Sequence, residues 1–328
     1  MAYTTIDNPE LYFQVKLYTG TGSSHAITLD GDENMQPDMV WWKERGSSDY
    51  HTIVDSVRGV TKRIFTNATD AEDTQAESLK SFDSDGFTMG TNSGANQSSQ
   101  TYVAWCWKES ADAGFDIVSW TGNGSSQNIS HSLSAVPHFM ITKNRSATGD
   151  WSTYHKFGGG TKTFYLSNTD AIGTTISPWN NTDPTSSVFT VGGGAYTNGS
   201  GNSIIGYLWT EKQGYSKFGS YTGNGDADGA FVYTGFRPAF VMIKGYDVSA
   251  LSWYLWDNKR LGYNPDNNLL YPNGTTVENS LDYIDILSNG FKFRTTDGEI
   301  NGSGTNYIYS AFAEFPLVSS NDIPVVAR

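Results

Sequence analysis

The groups in this chain that could do chemistry are few: one cysteine, five histidines and 34 acidic side chains among 328 residues. His25, His51, His131, His138 and His155 stand singly, and none pairs at the i, i+4 spacing with which a helix presents two zinc ligands. A structural zinc would have to be built from histidines and carboxylates alone, because Cys106 has no second thiol. Cys106 lies in Val103-Ala-Trp-Cys-Trp107, a strand-like run in which it reads as a small core residue. There is no Gly-x-Ser-x-Gly elbow, no Walker loop, and no Gly-x-Gly-x-x-Gly between a strand and a helix. Asp30-Gly-Asp-Glu33 and Asp83-Ser-Asp85 gather oxygen ligands of the kind calcium favours, but neither completes a twelve-residue calcium loop, and Asp side chains cap turns by bonding their own backbone. Paired carboxylates for glycoside hydrolysis are defined by spatial separation, which spacing along the chain does not give. The expectation is a protein that is not an enzyme and holds no metal or cofactor.

Aromatic residues are the other candidates. Ten tryptophans, 19 tyrosines and 17 phenylalanines supply rings able to stack on sugars. Most must be core, Trp105 and Trp107 sharing one strand face by the period of two. In Val40-Trp-Trp-Lys43 the same period points one ring inward and one outward, which nominates Trp42. Trp151, Trp179 and Trp253 stand in loop-like contexts and complete the set of candidate ligand-binding residues.

These residues sit on a repeat. Tyr18-Thr-Gly-Thr-Gly22 returns as Trp120-Thr-Gly-Asn-Gly124 and Tyr221-Thr-Gly-Asn-Gly225, a spacing of about 101 residues. Pro37 to Lys43, Pro137 to Lys143 and Pro238 to Lys244 each join a proline, an apolar strand and a lysine six positions on. Phe87, Phe189 and Phe291 follow at the same step, then polar turns at Asn96, Asn198 and Asn301. Runs of Val, Ile, Phe, Tyr, Trp and Thr broken every 8–12 residues by Gly, Asn, Asp and Ser are the pattern of antiparallel sheets, and no amphipathic helix stands out. The expected fold is all-β: three tandem antiparallel β-sandwich, jelly-roll-like repeats of about 100 residues. Their bounds are 15–110, 115–213 and 216–316, with an N-terminal extension or anchor at 1–14 and a C-terminal tail at 317–328. The polar segments 109–114 and 211–214 read as linkers.

A net charge of -13 argues against wrapping nucleic acid, which needs clustered Lys and Arg to displace counterions. No apolar run reaches the length of a membrane span, and the first residues lack the basic and apolar regions of a signal peptide, so the protein is expected to be made and to stay as a soluble chain.

Several phrases carry a family resemblance: Asp55-Ser-Val-Arg-Gly59, Ser81-Phe-Asp-Ser-Asp-Gly-Phe87, Tyr102-Val-Ala-Trp-Cys-Trp-Lys108, Tyr215 to Gly225, and Tyr307 to Pro316. Together they resemble uncharacterised virion structural or tail-fibre-like proteins of marine tailed bacteriophages, cyanophages and their relatives. The resemblance implies a virion protein assembled in the host cytoplasm, a tail fibre or tail appendage component adhering to a host surface glycan or envelope protein. Its partners would be other virion proteins, and a fibre would make it a homotrimer, although three units in one chain can mimic a trimer. A capsid decoration or head-fibre protein and a carbohydrate-degrading appendage enzyme are the alternatives. The middle repeat departs from the pattern: where the first has Asp55 and Arg58, expected as a salt-bridged turn, it has His155-Lys-Phe-Gly-Gly159.

Overall fold

The computed structural model describes residues 2–174, 178–260, 264 and 268–325. Met1 of the N-terminal extension and 326–328 of the C-terminal tail lie outside the described residues. The first repeat carries β1 Phe13–Thr19, β2 His25–Thr28, β3 Met39–Glu44, β4 Thr52–Asp55, β5 Lys62–Phe65, β6 Asp73–Thr74, β7 Leu79–Asp83, β8 Gly86–Met89 and β9 Thr101–Trp107. The second carries β10 Phe115–Thr121, β11 Gln127–Ser130, β12 Phe139–Asn144, β13 Ser152–His155, β14 Phe164–Tyr165, β15 Val188–Val191 and β16 Ser203–Trp209. The third carries β17 Ser216–Thr222, β18 Phe231–Tyr233, β19 Phe236–Gly245, β20 Trp253–Asp257, β21 Asn268–Leu269, β22 Asn279–Ser280, β23 Ile284–Leu287, β24 Gly290–Phe293 and β25 Asn306–Pro316. The fold is all-β and antiparallel. Each large sheet runs in the same sense, β1-β9-β3-β4-β5-β6, β10-β16-β12-β13-β14 and β17-β25-β19-β20, and a small sheet faces it, β2-β8-β7, β11-β15 or β18-β24-β23.

Alternation along the central strand of each large sheet builds two cores at once. In β9, Tyr102, Ala104 and Cys106 pack against the small sheet of their own repeat, while Val103, Trp105 and Trp107 point the other way. β16 divides likewise into Ile204 and Leu208 against Ile205, Tyr207 and Trp209, and β25 into Tyr307, Tyr309 and Ala311 against Ile308 and Phe312. The second set from all three repeats forms one common core, so the three large sheets surround a shared axis. On that axis the sister residues Trp107, Trp209 and Phe312 meet ring to ring, with centroids 6.2, 5.5 and 6.4 Å apart. Sheet faces that each bury apolar side chains remove both from water at about 25 cal/mol per Å². That explains why these strands read as continuous apolar runs.

This arrangement corrects the expected outward ring of β3. Trp41 enters the common core and Trp42 the core of its own repeat, and both are buried. Smaller devices recur threefold. Asn96, Asn198 and Asn301, each buried at the end of a one-turn helix, accept from the backbone N–H of Thr21, Asn123 and Asn224 at 2.8, 3.0 and 3.1 Å, clamping the aromatic-Thr-Gly turn. A Cβ on Gly20, Gly122 or Gly223 would come within 2.1, 2.2 or 2.4 Å of a backbone oxygen, so the turn needs glycine. Lys43, Lys143 and Lys244 are buried with ammonium groups on loop carbonyls, and burial pushes each down to about 8.

The N-terminal segment is packed. Ile6 enters the common core, Tyr3 Oη donates to Gly235 O at 2.6 Å, and Asp7 accepts from Ser320 N at 2.6 Å, joining the two ends of the chain.

The shared core sets two expectations. A fragment spanning 15–110 alone bares Met39, Trp41, Trp105 and Trp107, so it should bind a hydrophobic dye and melt without a cooperative transition, whereas the full chain melts in one; circular dichroism and calorimetry check this. Burial pushes the Cys106 thiol far up, so it should resist a thiol-specific disulfide reagent at pH 8 until denaturant is added.

Candidate functional site

The three repeats meet at three sister interfaces. A backbone hydrogen bond marks each one: Glu72 N to Arg145 O at 2.9 Å, Glu278 N to Arg45 O at 2.9 Å, and Ile172 N to Tyr246 O at 3.0 Å. Around the first, Arg145 grips Glu72 at 2.7 and 3.0 Å, and Arg58 pairs with Asp55 and reaches Glu72 at 3.2 Å. Tyr207 of the second repeat donates to Asp55 at 2.5 Å and accepts from Arg58 at 3.2 Å. The second interface repeats the design. Arg45 grips Glu278 at 2.9 and 2.7 Å, Arg260 bonds Asp257 at 2.7 Å and Glu278 at 3.0 Å, and Trp105 of the first repeat donates to Asp257 at 3.0 Å. The expected salt-bridged turn of Asp55 and Arg58 is thus a fully buried pair serving an interface.

The third interface, between the second and third repeats, has lost every charge of this set. His155, Gly158, Ile172 and Tyr246 stand where the others have Asp, Arg, Glu and Arg, and Ser310 stands where Tyr207 and Trp105 do. His155 is buried under Phe157, the rings stacked at 5.6 Å, and its Nδ1 accepts from Phe157 N at 3.3 Å. Nε2 forms no well-aligned hydrogen bond, although the Tyr309 backbone favours the protonated ring slightly. Burial dominates and pushes the imidazole down to about 3, so it is neutral.

A groove opens here along β17. One pocket of about 320 Å³ lies among Phe157, Ser220, Tyr221, Thr222, Tyr246 and Asn306. A second of about 310 Å³ continues past Lys156, Lys217, Phe231 and Tyr233, sharing Phe157, Ser220 and Tyr221 with the first. Phe157, Phe231 and Tyr233 are 51, 48 and 46% exposed, and lysine ammonium groups ride over two of them, Lys156 over Phe157 at 5.7 Å and Lys217 over Tyr233 at 5.2 Å. β17 is the edge strand of its sheet. The N–H of Phe218 points outward to Glu211 at 3.4 Å, so the backbone of Ser220, two residues on, faces the groove.

Comparison of the repeats shows that the groove is built from departures. Phe231 and Tyr233 flank the inward Val232, and the corresponding positions are Ala26 and Thr28 in the first repeat and Asn128 and Ser130 in the second. Tyr246 replaces an arginine in both sisters. Gly219 lies opposite Tyr309, where the sisters pair Lys16 with Ala104 and Val118 with Gly206. The large partner has moved to β25, and a Cβ on Gly219 would fall 2.4 Å from the Tyr309 ring, so glycine leaves β17 the room for Tyr309 to lie across it. Half-exposed rings, hydroxyl and amide groups and an ammonium are equipment for binding.

The four tryptophans nominated from sequence lie elsewhere, all buried. Trp42 donates to Gly94 O, and Trp151 and Trp253 donate across repeat boundaries to Phe65 O and Tyr165 O at 2.8 and 3.0 Å. Trp179 fills the second repeat's own core against Tyr154. None presents a ring to solvent. The acidic stretches serve turns and pairs, with Asp30 held by Lys16 and Asp83 by Ser81 and Thr88. Among the described residues no group of three His, Cys, Asp or Glu side chains could hold a metal ion.

A family model described as "Domain of unknown function (DUF7483)" matches residues 8–316. The chain belongs to this DUF7483 family. The match runs through all three repeats of the DUF7483 chain, in keeping with their shared core. No curated protein matches it.

Replacing Arg58 with Met would leave Asp55 buried without its cation, and an expected loss of about 3–5 kcal/mol should appear in urea denaturation. The neutral imidazole of His155 gives a pH test. A buried histidine held below its unfolded value of about 6.5 adds stability that is complete above that value and is lost as pH falls towards about 3. Glu109, pushed up to about 7 by burial and by its hydrogen bond to Asp116, acts with the opposite sign. The diagnostic quantity is therefore a difference. His155→Gln should lose less stability than the unmodified chain between pH 6.5 and 5, measured by denaturant midpoints.

Proposed function

We propose that this protein is a non-catalytic surface component of a bacteriophage particle, a tail fibre or tail appendage protein. On this reading it adheres to a host surface glycan through the groove between the second and third repeats. The observation that carries adhesion is the convergence of Phe157, Phe231, Tyr233 and Tyr246, three of them half-exposed rings, at the one interface without the ion network. Aromatic faces bind the apolar face of a sugar ring, and the Ser220 backbone with Thr222 and Asn306 offers hydrogen bonds to its hydroxyls. The virion setting is supported by the resemblance carried by phrases such as Asp55 to Gly59 and Tyr102 to Lys108.

Three sheet pairs already closed around one core favour a single chain at a threefold position of the particle over a trimer of chains.

Three measurements test the reading. Proteomics and immunogold labelling of purified virions should find the protein on the tail; its absence from particles overturns the virion assignment. Fluorescently labelled protein should decorate host cells and lose that binding when Phe157 and Tyr233 are both replaced by Ala, with an unchanged circular dichroism spectrum. Light scattering should give the mass of one chain.

A further inference from the structure

Lys217 occupies a position that the other two repeats use for closing their sheets together. Gln14, its counterpart in the first repeat, accepts from Gly31 N at 2.9 Å and donates to Glu10 O at 2.9 Å; Asp116, in the second, accepts from Ser132 N at 2.5 Å. Each ties the edge of the large sheet to the loop that follows the first strand of the small sheet. Lys217 makes no such tie. Its ammonium leans over the exposed Tyr233 ring, and no carboxylate among the described residues pairs with it. The neighbouring Lys156 differs, since Glu211 holds it at 2.7 Å. One uncompensated cation thus stands in the groove of a chain whose net charge is -13, a setting in which a spare cation is not needed for solubility.

We propose that the groove takes an acidic saccharide, with Lys217 pairing its anionic group and the exposed Phe231 and Tyr233 rings packing against the sugar beside it. The inference rests on the adhesion reading above and narrows it. An ammonium already placed over a ring binds an anion without losing the cation–π contact. The rings flank hydroxyl and amide groups, and a pyranose alternates apolar faces with polar edges in the same way. An acidic peptide would meet the lysine equally well but has no use for two flat exposed rings.

The sister repeats supply substitutions that the fold already accepts. Lys217→Gln installs the first repeat's residue, and Phe231→Asn with Tyr233→Ser installs the second's. Thermal melts confirm folding of both. The full chain is titrated by calorimetry with polygalacturonate, alginate and dextran sulfate, with neutral dextran and galactan, and with polyglutamate as a polyanion lacking sugar rings. The proposal expects binding to at least one acidic polysaccharide, weakening of about tenfold or more in Lys217→Gln, and loss in the double variant. Binding should also weaken between 50 and 500 mM salt. Equal affinity for neutral glycans with no effect of Lys217→Gln overturns the acidic preference and leaves glycan adhesion standing. Polyglutamate binding as tightly as the polysaccharides overturns the saccharide. Binding to none of the six overturns both readings.

Discussion

Trp107, Trp209 and Phe312 touching around a common axis is the contact on which the rest of the structure depends. Each comes from the end of the central strand of a large sheet, so their meeting fixes the position of all three sheets at once. The interfaces then have only one way to fall: the outer strands of one sheet lie against the central strand of the next. Asp55 reaches Tyr207, Asp257 reaches Trp105, and His155 lies beside the Tyr309 backbone by the same rotation. The buried ion networks sit outside this core and orient it. Their Coulomb gain is offset by desolvation, so they specify which repeat abuts which more than they add net stability.

The repeat, its strands and its anchors were legible because the period of two and the glycine turns are local properties. The common axis was not. A strand buried on both faces shows an unbroken apolar run, and nothing local says that its second face meets other repeats and not solvent. That is why Trp42 was assigned an outward ring and why Trp151 and Trp253, which bridge repeats, read as loop residues. The groove was partly legible. The replacement of Asp55-Ser-Val-Arg by His155-Lys-Phe-Gly marked the divergent interface, and Phe231 and Tyr233 could have been found by aligning β18 with β2 and β11. Lys217 needed the structure, because only the lost sheet-closing bond shows that its charge is free.

Internal symmetry makes function easier to locate. Where three copies of a position perform one structural task, each copy explains the others, as with Asn96, Asn198 and Asn301. A position that abandons the shared task without damaging the fold has been released for something else. Lys217 and Tyr246 are such positions, and they gather with Gly219, Phe231 and Tyr233 along one edge strand.

The ring is closed by contacts that are remote in the chain. Arg45 holds Glu278 across 233 residues, and Asp7 meets Ser320 across 313. A ribosome delivers the first repeat long before the residues that must cover it. Until the third arrives, the nascent chain presents two unmatched sides, one at each end of an unfinished circle, and each is complementary to the other. Two growing chains close together can satisfy those sides by exchanging a repeat, a path to entangled dimers that a protein with independent beads on a string would not face. Spacing between ribosomes on the message therefore bears on the yield of the correctly closed ring.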